Sequence, residues 1–266
     1  MAVLATYNVK GGVGKTATVV NLAHRAAAGA AALGGGRVLV FDLDPQGAAS
    51  YYFRAAPKVR GRGKSLVRGK VKVGEAITPT DFAGIDLIPS DFSFRNLDVV
   101  LDSAKDPGRS LERVVRPLTR RYDHVFLDCP PSISRLSENV FNAADALLVP
   151  LIPTTLSLRA LEQLDRFLAR RPERSPLVLP FFSMVDGRKR LHREMIEDLS
   201  LAHPDILRAA VPSSAAVERM GAHQAPVAAF DRRNSAVAAY ARLWDEVVER
   251  LSAAPAKARA RSRAQA

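Results

Sequence analysis

Six short apolar runs, separated by stretches of helix length, constrain this chain more than any other feature. The runs cover residues 3–7, 38–41, 85–88, 125–127, 147–151 and 177–182. Amphipathic stretches of helical spacing occupy 15–33, 109–121, 135–143, 157–170, 188–201 and 235–251. Continuously apolar strands are buried on both faces, and helical crossovers join strands that run parallel. The pattern predicts an α/β fold: a single doubly wound, mostly parallel sheet with helices on both faces. No internal repeat and no compositional shift marks a second domain, so residues 1–252 read as one domain and 253–266 as a basic, disordered tail. Irregular structure is expected at 34–36, from 54 to about 74, and in the Ala/Arg-rich tail. In the last stretch Tyr240, Leu243, Trp244, Val247, Val248 and Leu251 recur at helical spacing, as a core-packing stripe does.

The first run leads into NVKGGVGKTAT, residues 8–18, and then into a helical pattern. Strand, glycine-rich loop and helix in this order form a phosphate-binding loop. The glycines let the backbone wrap an anion closely and turn its N–H groups inward, and the helix N-terminus favours the same negative charge. The candidate nucleotide contacts are Gly11, Gly12, Val13, Gly14, Lys15, Thr16 and Ala17. Lys15 is placed to reach the β- and γ-phosphates of ATP, and the Thr16 hydroxyl to ligate Mg²⁺. The usual G-x-x-x-x-G-K-[ST] spacing has glycine where this chain has Val9, and Lys10 stands as a second lysine before the double glycine.

Two acidic motifs complete the pattern. In FDLDPQG, alternation along an extended segment turns Asp42 and Asp44 to one side. HVFLDCPP ends an apolar run in Asp128. A lone aspartate after a strand is ordinarily a cap, but open α/β sheets bind ligands at the carboxyl ends of their strands, and three carboxylates there form a site. Thr16, Asp42 and Asp128 are the magnesium candidates.

Charge and cysteine content bound the rest. The net charge is +12, and it is concentrated. Arg54, Lys58, Arg60, Arg62, Lys64, Arg68, Lys70 and Lys72 follow one another with no intervening acid, and Lys257, Arg259, Arg261 and Arg263 do so in the tail. Clusters of this kind favour a polyanion such as nucleic acid or an anionic membrane, and the plainer reading is a solubilising surface. The single cysteine, Cys129, excludes a disulfide framework and fits a reducing cytoplasm. No apolar run reaches the length of a membrane span, and residues 2–7 lack the basic start of a signal peptide. His24, His124, His192, His203 and His223 lack metal-ligand spacing, which leaves packing or surface roles.

KGGVGKT, DLDPQG and DCPPS together resemble the ParA/MinD family of deviant Walker ATPases, and among them the small, Soj-like ParA proteins without an N-terminal DNA-binding domain. VPLIPTTLSLRALEQL and APVAAF…NSAVAAYARLWDEV also follow the family pattern. The resemblance implies that Lys10 is the signature lysine, which crosses an ATP-sandwiched homodimer to the other copy's phosphates. It implies that Asp44 positions the attacking water, and that Asp42 and Asp128 support magnesium and couple it to the switch loops. Adenine recognition is implied around residues 183–186 and Pro212.

Departures from the family are equally specific. Ala17 stands where a second hydroxyl is common, and Val211-Pro212-Ser213-Ser214 lacks a basic residue found in DNA-binding relatives. Arg232 and Arg233 lie near the family's second basic DNA-contact position, and residues 54–72 offer a further surface. The implied function is an ATP-switched, nucleoid-associated cytoplasmic protein. It binds DNA non-specifically as a dimer, hydrolyses ATP slowly, and positions a plasmid, chromosome or protein assembly under a ParB-like or cargo-adaptor activator. Two alternatives are a MinD-type membrane-associated ATPase, disfavoured by a tail with no apolar residue larger than alanine after Pro255, and an ATP-dependent metabolic enzyme on the same fold.

Overall fold

Each predicted strand forms, with ends within one residue of expectation, and a short seventh joins them. In chain order they are Ala2–Thr6 (β1), Val38–Asp42 (β2), Thr78–Pro79 (β3), Ile85–Ile88 (β4), His124–Asp128 (β5), Ala146–Leu151 (β6) and Leu177–Phe182 (β7). The structure is a computed structural model, described for residues 1–31, 36–55, 62–170 and 175–254. The sheet order is β3-β4-β2-β5-β1-β6-β7, parallel throughout except for β3 against β4. β3 escaped the sequence reading because it is two residues long and ends in proline, which an edge strand tolerates.

Alternate strand residues feed two cores. On one face Leu4, Val40, Phe126 and Leu148 pack with Val19, Val20 and Leu22 of the helix Lys15–Ala31, and with Tyr240, Leu243, Trp244 and Val247 of the helix Ser235–Ala253. On the other, Ala5, Phe41, Leu127 and Leu147 pack with Val140 and Phe141 of the helix Arg135–Ala143 and with Leu161 and Leu164 of the helix Thr155–Ala169. The chain leaves β1 across one face toward β2, while the crossovers from β5 to β6 and from β6 to β7 use the other. That reversal opens a crevice at the carboxyl end of β1.

Three expectations need correction. The stretch 109–121 is not one α-helix: it runs Ser110–Val115 and then tightens to a 3₁₀ turn, Arg116–Arg120. Pro117 is the reason, since it supplies no N–H to the helical ladder and crowds the preceding turn. Residues 54–74 are not wholly irregular, because Arg62–Val67 is helical and a short helix, Val73–Ala76, starts within them. Burial of Leu66 and Val67 in the second core overrides the unfavourable local charge. Val248 belongs to the exposed side of its helix, not to the packing stripe. Gly34 and Gly35, and the tail from Pro255 onward, lie outside the described residues. Among the described residues no helix is long and apolar enough to cross a membrane.

Candidate active site

The loop after β1 is shaped by glycines at left-handed angles, Gly12 at φ 71° and Gly14 at φ 89°. The angle at Gly14 favours glycine, and a Cβ there would also stand tightly against Ser183 Oγ, at 3.0 Å. Asn8 braces the entrance: its amide donates to the Pro150 carbonyl (2.8 Å), and its side-chain oxygen accepts from the Lys10 N–H (2.9 Å). Lys15 Nζ donates to the Lys10 carbonyl (2.9 Å). The Lys10 backbone is thereby held at both ends while its side chain is exposed and forms no ion pair with a described residue. Lys15 is only 7% exposed, and burial lowers its pKa against the opposing pull of Asp128, Cys129 and Asp44.

The carboxylates converge through strand register. Asp42 and Asp128 are paired across β2 and β5, and Asp128 is paired with Thr6 across β5 and β1. Asp42 is fully buried and accepts from the Ser50 N–H (2.8 Å), the Ser50 hydroxyl (2.7 Å) and the Asp44 N–H (3.2 Å). Burial nevertheless raises its pKa to about 6, with the Asp44 charge adding to the effect. Asp128 is also fully buried, and neither of its oxygens has a well-formed hydrogen bond. Burial, then the Asp42 charge, push its carboxyl well above the ordinary range, while the Thr16 hydroxyl and Lys15 pull it down. Asp44 is only partly buried and accepts from the Gln46 N–H (2.9 Å). Lys15, Thr16, Asp42, Asp44 and Asp128 are thus drawn together at one end of the sheet.

This donor set fits a group that carries both a cation and phosphates. Two buried, unpartnered carboxylate oxygens and a raised second carboxyl call for positive charge. The adjoining glycine loop and buried ammonium call for negative charge. Thr16, Asp42 and Asp128 are the residues that would hold a magnesium ion. Ala17 leaves no hydroxyl at its position, and its side chain packs against the core instead. Residues 183–186 and Pro212 also meet: Val185 pairs with Pro212, and Met184 adopts φ 55° beside the loop-facing Ser183.

Among the described residues the basic candidates do not form one surface. Arg232 and Arg233 are exposed between the short helix Val227–Phe230 and the helix Ser235–Ala253, over the first core. Arg68, Lys70 and Lys72 are exposed beyond a helix anchored in the second core. Lys58 and Arg60, and the side chains of Arg62 and Lys64, lie outside the described residues. Two residues missed by the sequence reading support the site, Asn8 and Ser50. Asn8 carried a usable signal, since an asparagine at a strand-to-loop junction often bonds the backbone two residues on. Ser50 carried none. Of the histidines, His24, His124 and His223 pack edge-on or stacked against Phe82, Trp244 and Phe230. Cys129 is buried, and burial keeps it a thiol.

Residues 1–175 match a family model described as an AAA domain, AAA_31. The chain is 32% identical to the chromosome partitioning protein ParA of Caulobacter vibrioides over 97% of its length and 98% of that protein's. It is 28% identical to the sporulation initiation inhibitor protein Soj of Bacillus subtilis, over 92% and 97% of the two chains. Among solved structures it resembles cobyrinic acid a,c-diamide synthase from Mycobacterium smegmatis with a bound ATP analogue and magnesium. That match has a TM-score of 0.77 and 25% identity, and covers 96% of this chain and 97% of the other.

Proposed function

The chain belongs to the ParA/Soj/MinD family of AAA-domain P-loop ATPases, and from that premise we propose that it is an ATP-dependent dimerising switch that binds DNA non-specifically and positions or segregates a cargo. The observation that carries this reading is Lys10. An exposed lysine, with its backbone clamped to Asn8 and Lys15 and no described ion-pair partner, is suited to complete the site of a second copy.

ATP would lie with its phosphates on the N–H groups of Gly11 to Thr16, and Lys15 would exchange the Lys10 carbonyl for phosphate oxygen. Thr16, Asp42 and Asp128 would hold magnesium, which when bound would supply charge neutralisation to the phosphates. Asp44 would orient a water for in-line attack on the γ-phosphorus and receive its proton, as the bond to the β–γ bridging oxygen breaks and ADP and phosphate form. Lys10 of a second copy would offset the negative charge of that transition state, so that hydrolysis follows dimerisation.

Bound DNA would meet Arg232 and Arg233, and a ParB-like or cargo-adaptor protein would stimulate turnover at the nucleoid in the cytoplasm. The synthase likeness keeps a metabolic ATPase in view; that reading predicts fast turnover with a small-molecule acceptor and indifference to DNA.

The test is ATP hydrolysis and sedimentation, with and without DNA, for wild type, Lys10→Gln and Asp44→Ala. Lys10→Gln should lose the ATP-dependent dimer, while Asp44→Ala should keep it and lose turnover by roughly a hundredfold or more. Normal dimerisation and hydrolysis by Lys10→Gln would refute the cross-subunit role.

A further inference from the structure

The basic segment that follows the helix Arg62–Val67 forms one wall of a groove. With the turn at 103–105 and the helix Ser110–Val115, it encloses a cavity of ≈ 910 Å³. Arg68, Lys70, Lys72, Lys105 and Arg113 line it, and no acidic residue does among those described. Arg113 is engaged by Ser110 Oγ at 3.1 Å. The other four cations form no ion pair with a described residue. The floor is apolar: Leu66, Val67 and Val114 are buried beneath it, while Val71, Val73 and Pro117 remain partly or wholly open.

These two properties together select the occupant. Uncompensated cations around a concave site concentrate a positive field, which repels a basic segment and attracts an acidic one. Charge alone would also attract nucleic acid, whose phosphates are gripped from exposed surfaces and gain nothing from a recessed apolar floor. Open valine and proline surface beneath a rim of charge is what an amphipathic peptide uses, burying side chains while its carboxylates meet the rim.

We propose that this groove docks an acidic, apolar-bearing segment of a partner protein. The assignment does not depend on the nucleotide site. The groove opens over the second core, whereas Arg232 and Arg233 stand over the first. One molecule could therefore hold DNA and an acidic cargo segment at once.

Fluorescence anisotropy tests the idea with a labelled peptide of about fifteen Glu, Leu and Phe residues, apolar at helical spacing. Controls are the same peptide with Lys for Glu, a poly-Glu peptide of equal charge, and duplex DNA as competitor. The acidic amphipathic peptide should bind in the micromolar range and roughly tenfold more tightly than poly-Glu. The double variant Lys70→Glu/Lys72→Glu should weaken it by roughly tenfold or more, with an unchanged thermal unfolding curve. Arg232→Ala/Arg233→Ala should leave it unaltered. Equal binding of poly-Glu, preference for the basic peptide, or no binding at low salt overturns the proposal. So does displacement of the peptide by DNA together with loss of DNA binding in the Lys70→Glu/Lys72→Glu protein, which assigns the groove to nucleic acid.

Discussion

Asp42 and Asp128 are register partners on neighbouring strands, both excluded from water, and Asp128 lacks a well-formed hydrogen bond at either oxygen. Two such carboxyls favour their neutral forms, and in the nucleotide-free protein that preference sets a pH dependence. The folded pKa of each lies above its unfolded value, so the stability they contribute is complete below about pH 4 and is lost as pH rises through the folded pKa, about 6 for Asp42 and well above the ordinary carboxylate range for Asp128. Asp128→Asn removes one charge at nearly constant volume. It should raise the melting temperature of metal-free protein by a few degrees at about pH 7.5. At about pH 5 the gain should be smaller. Magnesium-dependent ATP binding, followed by calorimetry, should fall in the same variant. A melting temperature unchanged by Asp128→Asn at the higher pH would mean that the buried charge is already compensated. The aspartates and lysines of the site are legible as local motifs. Ser50 is not, because what makes it matter is a distant partner, the buried Asp42; Asn8 is legible in its local bond to the Lys10 N–H but not in its bond to the Pro150 carbonyl.

Elements were legible where one face packs and opaque where context decides. The helix Ser235–Ala253 follows its apolar spacing, and the Asn234 side chain caps it through the Ala236 N–H. Trp244 sits at the centre of its buried stripe, with its ring 4.9 Å from His124 and 5.8 Å from Phe126. Trp244→Ala should cost about 3–5 kcal/mol in urea unfolding through transfer and cavity terms. Val248→Ala, on the exposed side of the same helix, should cost within about 0.5 kcal/mol. Equal losses would mean that the helix is oriented differently on the sheet. The short helices Ala48–Tyr52, Arg62–Val67 and Leu97–Asp102 are too brief to show a period, and tertiary burial holds each of them: Ala49 and Ser50 in the first, Leu66 and Val67 in the second, Leu97, Val100 and Leu101 in the third.

At the scale of the whole molecule, the two faces carry different positive surfaces. If Arg232 and Arg233 meet phosphates, DNA affinity in the presence of ATP should fall linearly with salt on logarithmic axes. Arg232→Ala/Arg233→Ala should flatten that slope by roughly 2. Filter binding across a salt series, with and without ATP, measures this. A slope unchanged by the double variant places the DNA contact elsewhere.

Sequence alone determined the alternation of strands and helices, the phosphate loop with its second lysine, and the three aspartates at strand ends. All of these are written within short windows, where side-chain period and backbone demand are local. Tertiary structure decided which ends meet. Placing β5 between β2 and β1 makes Asp42 and Asp128 neighbours, and the helices packed on the sheet put Arg232 and Arg233 over one face and Lys70 and Lys72 over the other, where Leu66 and Val67 before them and Val114 and Pro117 after them supply an apolar floor. Such pairings rest on contacts between distant segments, whose selection depends on burying both faces of one sheet rather than on any local pattern.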